Sequence, residues 1–447
     1  MIRKLPSLVL LSSLLLVAAL TVLPSQASAE SLSFPSAGER QGVHTFKVAR
    51  LAGRSIERAV VRVGSRRWSV PVARVRAGSR QGFVRIRTYR VSQRGGVSGR
   101  RSRRRASLTV VTRRISAPSG SCGGSGLFKF GSWPGGCWRP YADDSPFNLR
   151  LPASPRVAGN SDAVVGRVLG FGKLQNLQAG AADTEDDWSA PVYYPEPSDP
   201  LFTVRCMERW GRCEVEGMQV RIPDQARAAA GGDGHIVVVD QASGWEYDFW
   251  QVRSKPRGGG ELNISWGGRT RLDGDGLDSN STGAMFGRLA GIIRAPELEV
   301  GEINHALYMV ASCDSGEFVY PAMKTGRSCS SIGRSNQDAP PLGSRFQLDM
   351  SDAQIAALAV PAWKKTVLRA MAHYGLYMGD TGSGSWAIQA ESGSSYTSFG
   401  YEDPLVTFAR DQDVPAWNGR RVFDMADGVD WQRHLRLIDP CVTQRTC

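Results

Sequence analysis

The sequence predicts an all-β protein: a jelly-roll-like β-sandwich over residues 138–447 with one or two peripheral helices, preceded by a small basic β module over residues 30–116. Three observations predict it. Beyond residue 190 the chain is a succession of short strand-like runs, among them APVYYPEP, LFTVRC, MQVRIP, HIVVVDQ, WEYDFWQVR, ELNISWGG, NHALYMVAS, FVYPA and SRFQLDM. Gly, Pro and Asp separate them, a pattern that favours a sandwich over alternating strand and helix units. Residues 43–114 repeat the pattern in VHTFKVARL, RAVVRVGSRRWSVPVARV, QGFVRIRTYRV and SLTVVTRR. There Phe83, Arg85 and Arg87 alternate with Val84, Ile86 and Thr88, which sets arginines on one strand face and aliphatics on the other. Helical signals are few by comparison.

The clearest lies in residues 351–375. Ser351 and Gln354 form a capping box, Pro361 suits the first turn of a second helix, and Gly375 supplies a stop. Trp363, Val367, Ala370, Met371 and Tyr374 recur at helical spacing, so this helix is expected to lie on the sandwich by one face. PDQARAAAGG reads as one short turn ended by Gly231.

The N-terminus has the pattern of a secretory signal: Arg3 and Lys4, an apolar core over residues 8–23, and the small residues Ala27, Ser28 and Ala29 before Glu30. No later run approaches the roughly 20 apolar residues of a membrane helix, so a secreted or cell-surface protein without a membrane span is expected. The eight cysteines agree, falling into neighbouring pairs: Cys122 with Cys137, Cys206 with Cys213, Cys313 with Cys329, and Cys441 with Cys447. Short loops of this kind close readily as disulfides in an oxidising compartment, and none has the CxxC spacing of a zinc site.

Charge is divided sharply. The formal net charge is +13, yet residues 30–116 carry 22 Lys and Arg against 3 Asp and Glu, whereas residues 117–447 carry 31 against 39. Two modules follow, joined by a Gly/Ser/Pro linker over residues 117–137. The arginine face of the first, with its run RRSRRR at 100–105, suits adhesion to an anionic cell-envelope polymer; the alternative is a solvated basic face. Nucleic-acid recognition is not favoured, since the module has no helix-turn-helix, zinc-finger or aromatic RNP-like motif.

Candidate chemistry concentrates in DGHIVVVDQASGWEYDFWQV, which reads as a hairpin. His235, Val237 and Val239 share one face of its first strand, and Glu246, Asp248 and Trp250 share one face of the second. Two carboxylates and an indole in a row suit a carbohydrate groove, in which the ring stacks on sugar and a carboxylate binds hydroxyls or moves a proton. A solvent face is the alternative. Tyr247 and Trp266 join Trp250 as candidate substrate-binding aromatics.

His305 lies among Ile303, Leu307 and Met309, where it is either a core residue or a partner of His235. Two strand histidines with Asp248 would make a base with its orienting carboxylate, or a metal set. Asp380, in a Gly/Ser loop after the long helix, is either a site residue at the groove rim or a turn former. Asp273, Asp275 and Asp278, with Asn280, offer oxygens at the spacing of a calcium loop without the EF-hand pattern; a polar turn with no ion is the other reading. No other cofactor is implied. GxSxG, HExxH, Walker and strand-to-helix GxGxxG motifs are missing from the sequence, which leaves serine hydrolase, zincin and nucleotide-binding readings without support.

GGDGHIVVVD with YDFW, ISWGGRTRLDGDG, GEINHALYMV, APPLGSRFQL and AWKKTVLRAMAHYGLYMGDTGS together resemble an uncharacterised, carbohydrate-related family of secreted bacterial proteins, over about residues 140–440. The resemblance implies four site positions: the His of the DGH strand, the acid of the aromatic strand, the His of the HAL strand and the Asp of the glycine loop. They fall on His235, Asp248, His305 and Asp380. It implies no reaction. The expectation is a secreted protein acting on an extracellular polysaccharide, as a glycoside hydrolase or polysaccharide lyase; the alternative is a non-catalytic adhesive protein.

Overall fold

Strand propensity and turn placement account for most of the architecture in the computed structural model, which describes residues 30–40, 43–48, 54–63, 66–70, 75, 83–87, 106–114, 128 and 133–447 apart from 183, 280 and 383. The signal-like segment at 1–29, the arginine run at 100–105, Cys122, Asn280 and most of the linker lie outside the described residues. The fold is strand-dominated with few helices, as an all-β sandwich requires. The chain divides into two units, Met1–Val48 with Ile56–Arg114, and Ala49–Ser55 with Ile115–Cys447.

The first unit is a curled six-stranded sheet. Its strands are β1 (Glu30–Arg40), β2 (Val43–Lys47), β3 (Arg54–Val63), β4 (Arg66–Val70), β5 (Phe83–Arg87) and β6 (Ala106–Arg114), in the spatial order β4-β3-β6-β1-β2-β5. Alternation, clearest along β6, accounts for much of its polarity. Phe46, Val61, Leu108 and Val110 are buried, while Arg58, Arg62, Arg66, Arg67 and Arg85 are exposed.

The second unit is built on a mixed six-stranded sheet, β10-β9-β13-β12-β11-β8. The strands are β8 (Val192–Tyr193), β9 (Leu201–Cys206), β10 (Gln219–Arg221), β11 (Ile236–Asp240), β12 (Trp245–Ser254) and β13 (Gly260–Arg271). β11, β12 and β13 form an antiparallel meander, and β8 and β9 join it in parallel. Both faces are covered, which is why IVVVD can be buried at every position. Val237 and Val239 enter the main core; Ile236, Val238, Tyr247 and Phe249 enter a second one with Phe202, Val220 and Ile264.

A five-stranded sheet carries β14 (Leu307–Ala311), β15 (Arg345–Leu348), β16 (Leu376–Thr381), β17 (Ala387–Ile388) and β20 (Leu435–Leu437). A small sheet pairs β7 (Leu177–Ala179) with the hairpin β18 (Ala416–Trp417) and β19 (Arg420–Phe423). The capping box forms as expected: the Ser351 hydroxyl accepts from Gln354 N and opens the helix Asp352–Ala357. The following helix, Ala362–His373, buries Trp363, Val367, Ala370 and Met371 and ends before Gly375, whose φ is +79°. At PDQARAAAGG the chain makes one turn, Ala226 N to Pro223 O, and then leaves it, because Ala229 N and Gly231 N bond the carbonyls of His235 and Asp187 instead.

Disulfides join Cys206 to Cys213, Cys313 to Cys329 and Cys441 to Cys447. Among the described residues no helix is long and apolar enough to cross a membrane.

Candidate functional site

One face of β12 organises the candidate site. Pairing of Val237 with Asp248 and of Trp250 with Trp266 aligns His235, Asp248, Glu246, Trp250 and Trp266 on a single side of the sheet. That face is then divided by what covers it. Residues 277–289 close over Glu246 and Asp248, which are 0% and 1% exposed, whereas His235, Trp250 and Trp266 line an open cavity of about 950 Å³.

The covered end is a tether. Glu246 accepts from the Tyr141 hydroxyl (2.6 Å) and Leu289 N (2.9 Å), and Asp248 accepts from the Ser279 hydroxyl and Arg288 N (3.0 Å). Burial, and next the repulsion of Asp248, raises the Glu246 carboxyl well above the ordinary range, so the pair retains a proton. Neither carboxylate lines the cavity. Their chemistry is to hold the segment that presents Ser281, Thr282, Gly283 and Arg288 to it.

At the open end, Trp210 is 64% exposed and packs against Trp250 and Trp266 with ring centroids 5.6 and 5.7 Å away. The loop that carries it is closed by the Cys206–Cys213 disulfide. The Trp250 indole N–H donates to Asp233 Oδ1 at 3.1 Å, and Asp233 Oδ2 stands 3.9 Å from His235 Nε2. Trp188, 55% exposed, lies over Gly232, where a Cβ would sit 3.5 Å from its ring.

The Arg288 guanidinium donates through Nη2 to His235 Nε2 (3.2 Å) and through Nη1 to Gln389 Oε1 (3.4 Å). Its Nε–H is buried without a hydrogen-bond partner among the described residues. His235 bonds the Phe249 carbonyl with its other nitrogen; burial first, and Arg288 second, holds its pKa well below the usual value, so the ring is neutral.

Asp380 reaches the cavity through an irregularity in β16. The register of β14 against β16 shifts between Met309 and Val310, skipping Gly379, where a Cβ would stand 2.3 Å from the Tyr308 ring. Its carboxylate accepts from Thr381 N (2.8 Å) and Gly283 N (3.3 Å) and lies where a Cβ on Gly283 would be, at 2.6 Å. Burial pushes this carboxyl above its ordinary range, against the pull of Arg288 and the two backbone donors.

Of the positions singled out in the sequence, the cavity therefore takes His235, Asp380, Trp250 and Trp266. Tyr247 points to the opposite face and packs beside Phe249 in the second core. His305 belongs to a separate buried network: Nδ1 bonds the Ala306 carbonyl, Nε2 bonds Glu297, and Glu297 also pairs with Arg294 at 3.0 Å. Burial pushes Glu297 up, but Arg294 and His305 outweigh it and hold the carboxylate below its usual range. The three loop aspartates do not converge. Asp273 takes a two-point contact from Arg271, Asp275 accepts from Leu277 N, and Asp278 is exposed at φ +75°. No group of three His, Cys, Asp or Glu able to hold a metal occurs among the described residues. Asp233, Arg288, Trp210 and Trp188 were not singled out from sequence. For Trp210 a signal existed, an indole inside a short cysteine loop; for Arg288 none did.

Beside the cavity, Glu391 is 3% exposed, bonded by the Tyr396 hydroxyl at 3.2 Å, with Oε1 unpartnered among the described residues. Burial pushes it up to about 7. The folded state thus holds this proton more tightly than the unfolded chain does. Its contribution is fully present below the ordinary glutamate value and is lost as pH rises through about 7, a change of about 3 kcal/mol at most. Urea unfolding at about pH 5 and about pH 8 is expected to show this loss in the wild type and not in Glu391→Gln. Equal losses in both proteins would contradict it.

Comparison with known proteins gives no matching family model, no similar curated protein and no similar solved structure.

Proposed function

We propose that the protein is an exported carbohydrate-active enzyme that hydrolyses an extracellular polysaccharide. The observation that carries this reading is a cluster of tilted indoles and two carboxylates in one cavity: exposed Trp210 against half-buried Trp250 and buried Trp266, beside Asp233 and Asp380. Indole faces match the apolar faces of pyranose rings, and their rigidity makes ordering them cheap. Asp380, which burial keeps protonated to higher pH, is suited to give its proton to the glycosidic oxygen. Asp233, with its side chain 41% exposed and steadied by Trp250, is suited to act at the anomeric carbon, directly or through a water. Elimination fits less well. With a histidine as the base it is disfavoured, because both ring nitrogens of His235 are engaged and His305 stands in another network.

The neighbouring-cysteine disulfides and the signal-like N-terminus support export. Arginines 58, 62, 66, 67 and 85, exposed on the first unit, support docking on an anionic envelope polymer. Titration with neutral and acidic oligosaccharides, followed by tryptophan fluorescence, tests the cavity's ligand. A saturable change is expected, weakened about tenfold or more by Trp210→Ala. No saturable change with any of them would remove glycan as the ligand.

A further inference from the structure

A second cavity, of about 570 Å³, is lined by four arginines, Arg150, Arg156, Arg345 and Arg445, together with Tyr377 and Thr443, and by no aspartate or glutamate among the described residues. Arg345 forms its floor. On β15 it is 5% exposed, with its guanidinium 4.9 Å from the centroid of the Tyr377 ring. Its donors go to carbonyls: Nε and Nη2 to Tyr374 (2.9 and 2.6 Å) and Nη2 also to Leu149 (2.7 Å). Carbonyls satisfy hydrogen bonds but supply no counter-charge. A guanidinium buried this way bears an uncompensated desolvation cost.

The rim is cationic as well. Arg150, Arg156 and Arg445 are exposed, and Arg445 donates to the Asp144 carbonyl at 2.9 Å. Arg150 lies over the Tyr374 ring at 5.5 Å. Of the four, Arg156 alone forms an ion pair among the described residues, with Asp439 at 3.1 Å. Among the described residues the Tyr377 hydroxyl is held by two long contacts of 3.4 Å, to Pro146 O and Thr443 Oγ1, which leaves it able to turn to a ligand.

We propose that this cavity is a binding site for a small oxyanion, a phosphate, sulfate or carboxylate group carried by a molecule up to about the size of a sugar. Arginine forks match these groups in two-point geometry, and three of the four arginines, Arg150, Arg345 and Arg445, have no ion pair among the described residues. The inference does not rest on the glycan reading of the first cavity.

Isothermal titration of the full chain with inorganic phosphate, sulfate and glucuronate tests it, with glucose and with chloride at matched ionic strength as controls. Saturable binding of at least one oxyanion is expected, and the arm that saturates tells a tetrahedral anion from a carboxylate. Arg150→Ala with Arg445→Ala, both at the exposed rim where folding is not at stake, is expected to weaken it about tenfold. Arg345→Lys, which keeps the charge but removes Nη1, the guanidinium nitrogen that does not donate to the Tyr374 and Leu149 carbonyls, is expected to weaken it further. Binding that chloride reproduces, that the rim variants leave unchanged, or that no oxyanion shows would overturn the proposal.

Discussion

Asp380→Asn is expected to lower polysaccharide turnover by about 10³-fold while leaving the fold intact. Asparagine keeps the shape of the side chain, and its carbonyl oxygen can still accept from Thr381 N or Gly283 N. It removes a carboxyl whose ionised form burial already disfavours, so thermal stability at neutral pH should not fall. What disappears is the proton available to the leaving oxygen. Reducing-end assays on wild type and variant, with thermal unfolding alongside, check both parts. Turnover within about threefold of wild type would show that Asp380 does not supply that proton.

The second large effect is on stability, and it separates a tethering acid from a reacting one. Asp248→Ala is expected to destabilise the second unit by about 3 kcal/mol. The change leaves the Ser279 hydroxyl and Arg288 N buried without their acceptor and opens a void beneath residues 277–289. Activity should fall too, because Arg288 is displaced, but Asp248→Asn should recover most of both by restoring an acceptor of the same shape. An Asp248→Asn enzyme that folds normally and is as inactive as Asp380→Asn would place Asp248 in the chemistry instead. Urea unfolding and turnover of the two variants decide the matter.

The contrast between Asp248 and Asp380 also marks how far sequence reasoning reaches in this fold. Alternation along β12 correctly put Glu246, Asp248 and Trp250 on one face, because strand periodicity is a local property. What covers that face is not local. Ser279, Arg288 and Leu289 reach it from 31 to 43 residues away and make Glu246 and Asp248 buried anchors in place of groove acids. The helix pair at 351–375 was legible down to its cap, since Ser351, Gln354 and Gly375 act within their own turns. The parallel pairing of β9 with β13 and of β14 with β16 left no such mark, because its partners are chosen by tertiary packing. His305 shows the same limit. It sits in a bend just before β14 and not in the strand as expected; its apolar neighbours fit a core histidine, and the Arg294–Glu297 pair that makes it one lies at the start of a neighbouring helix.

The measurement that tests the central claim most directly is a screen of the protein against neutral and acidic polysaccharides, reading new reducing ends together with unsaturated uronates, with Asp380→Asn run in parallel. Hydrolysis predicts reducing ends without unsaturation from at least one polysaccharide, abolished in the variant. Unsaturated products, or binding without turnover that the variant leaves unchanged, would contradict it.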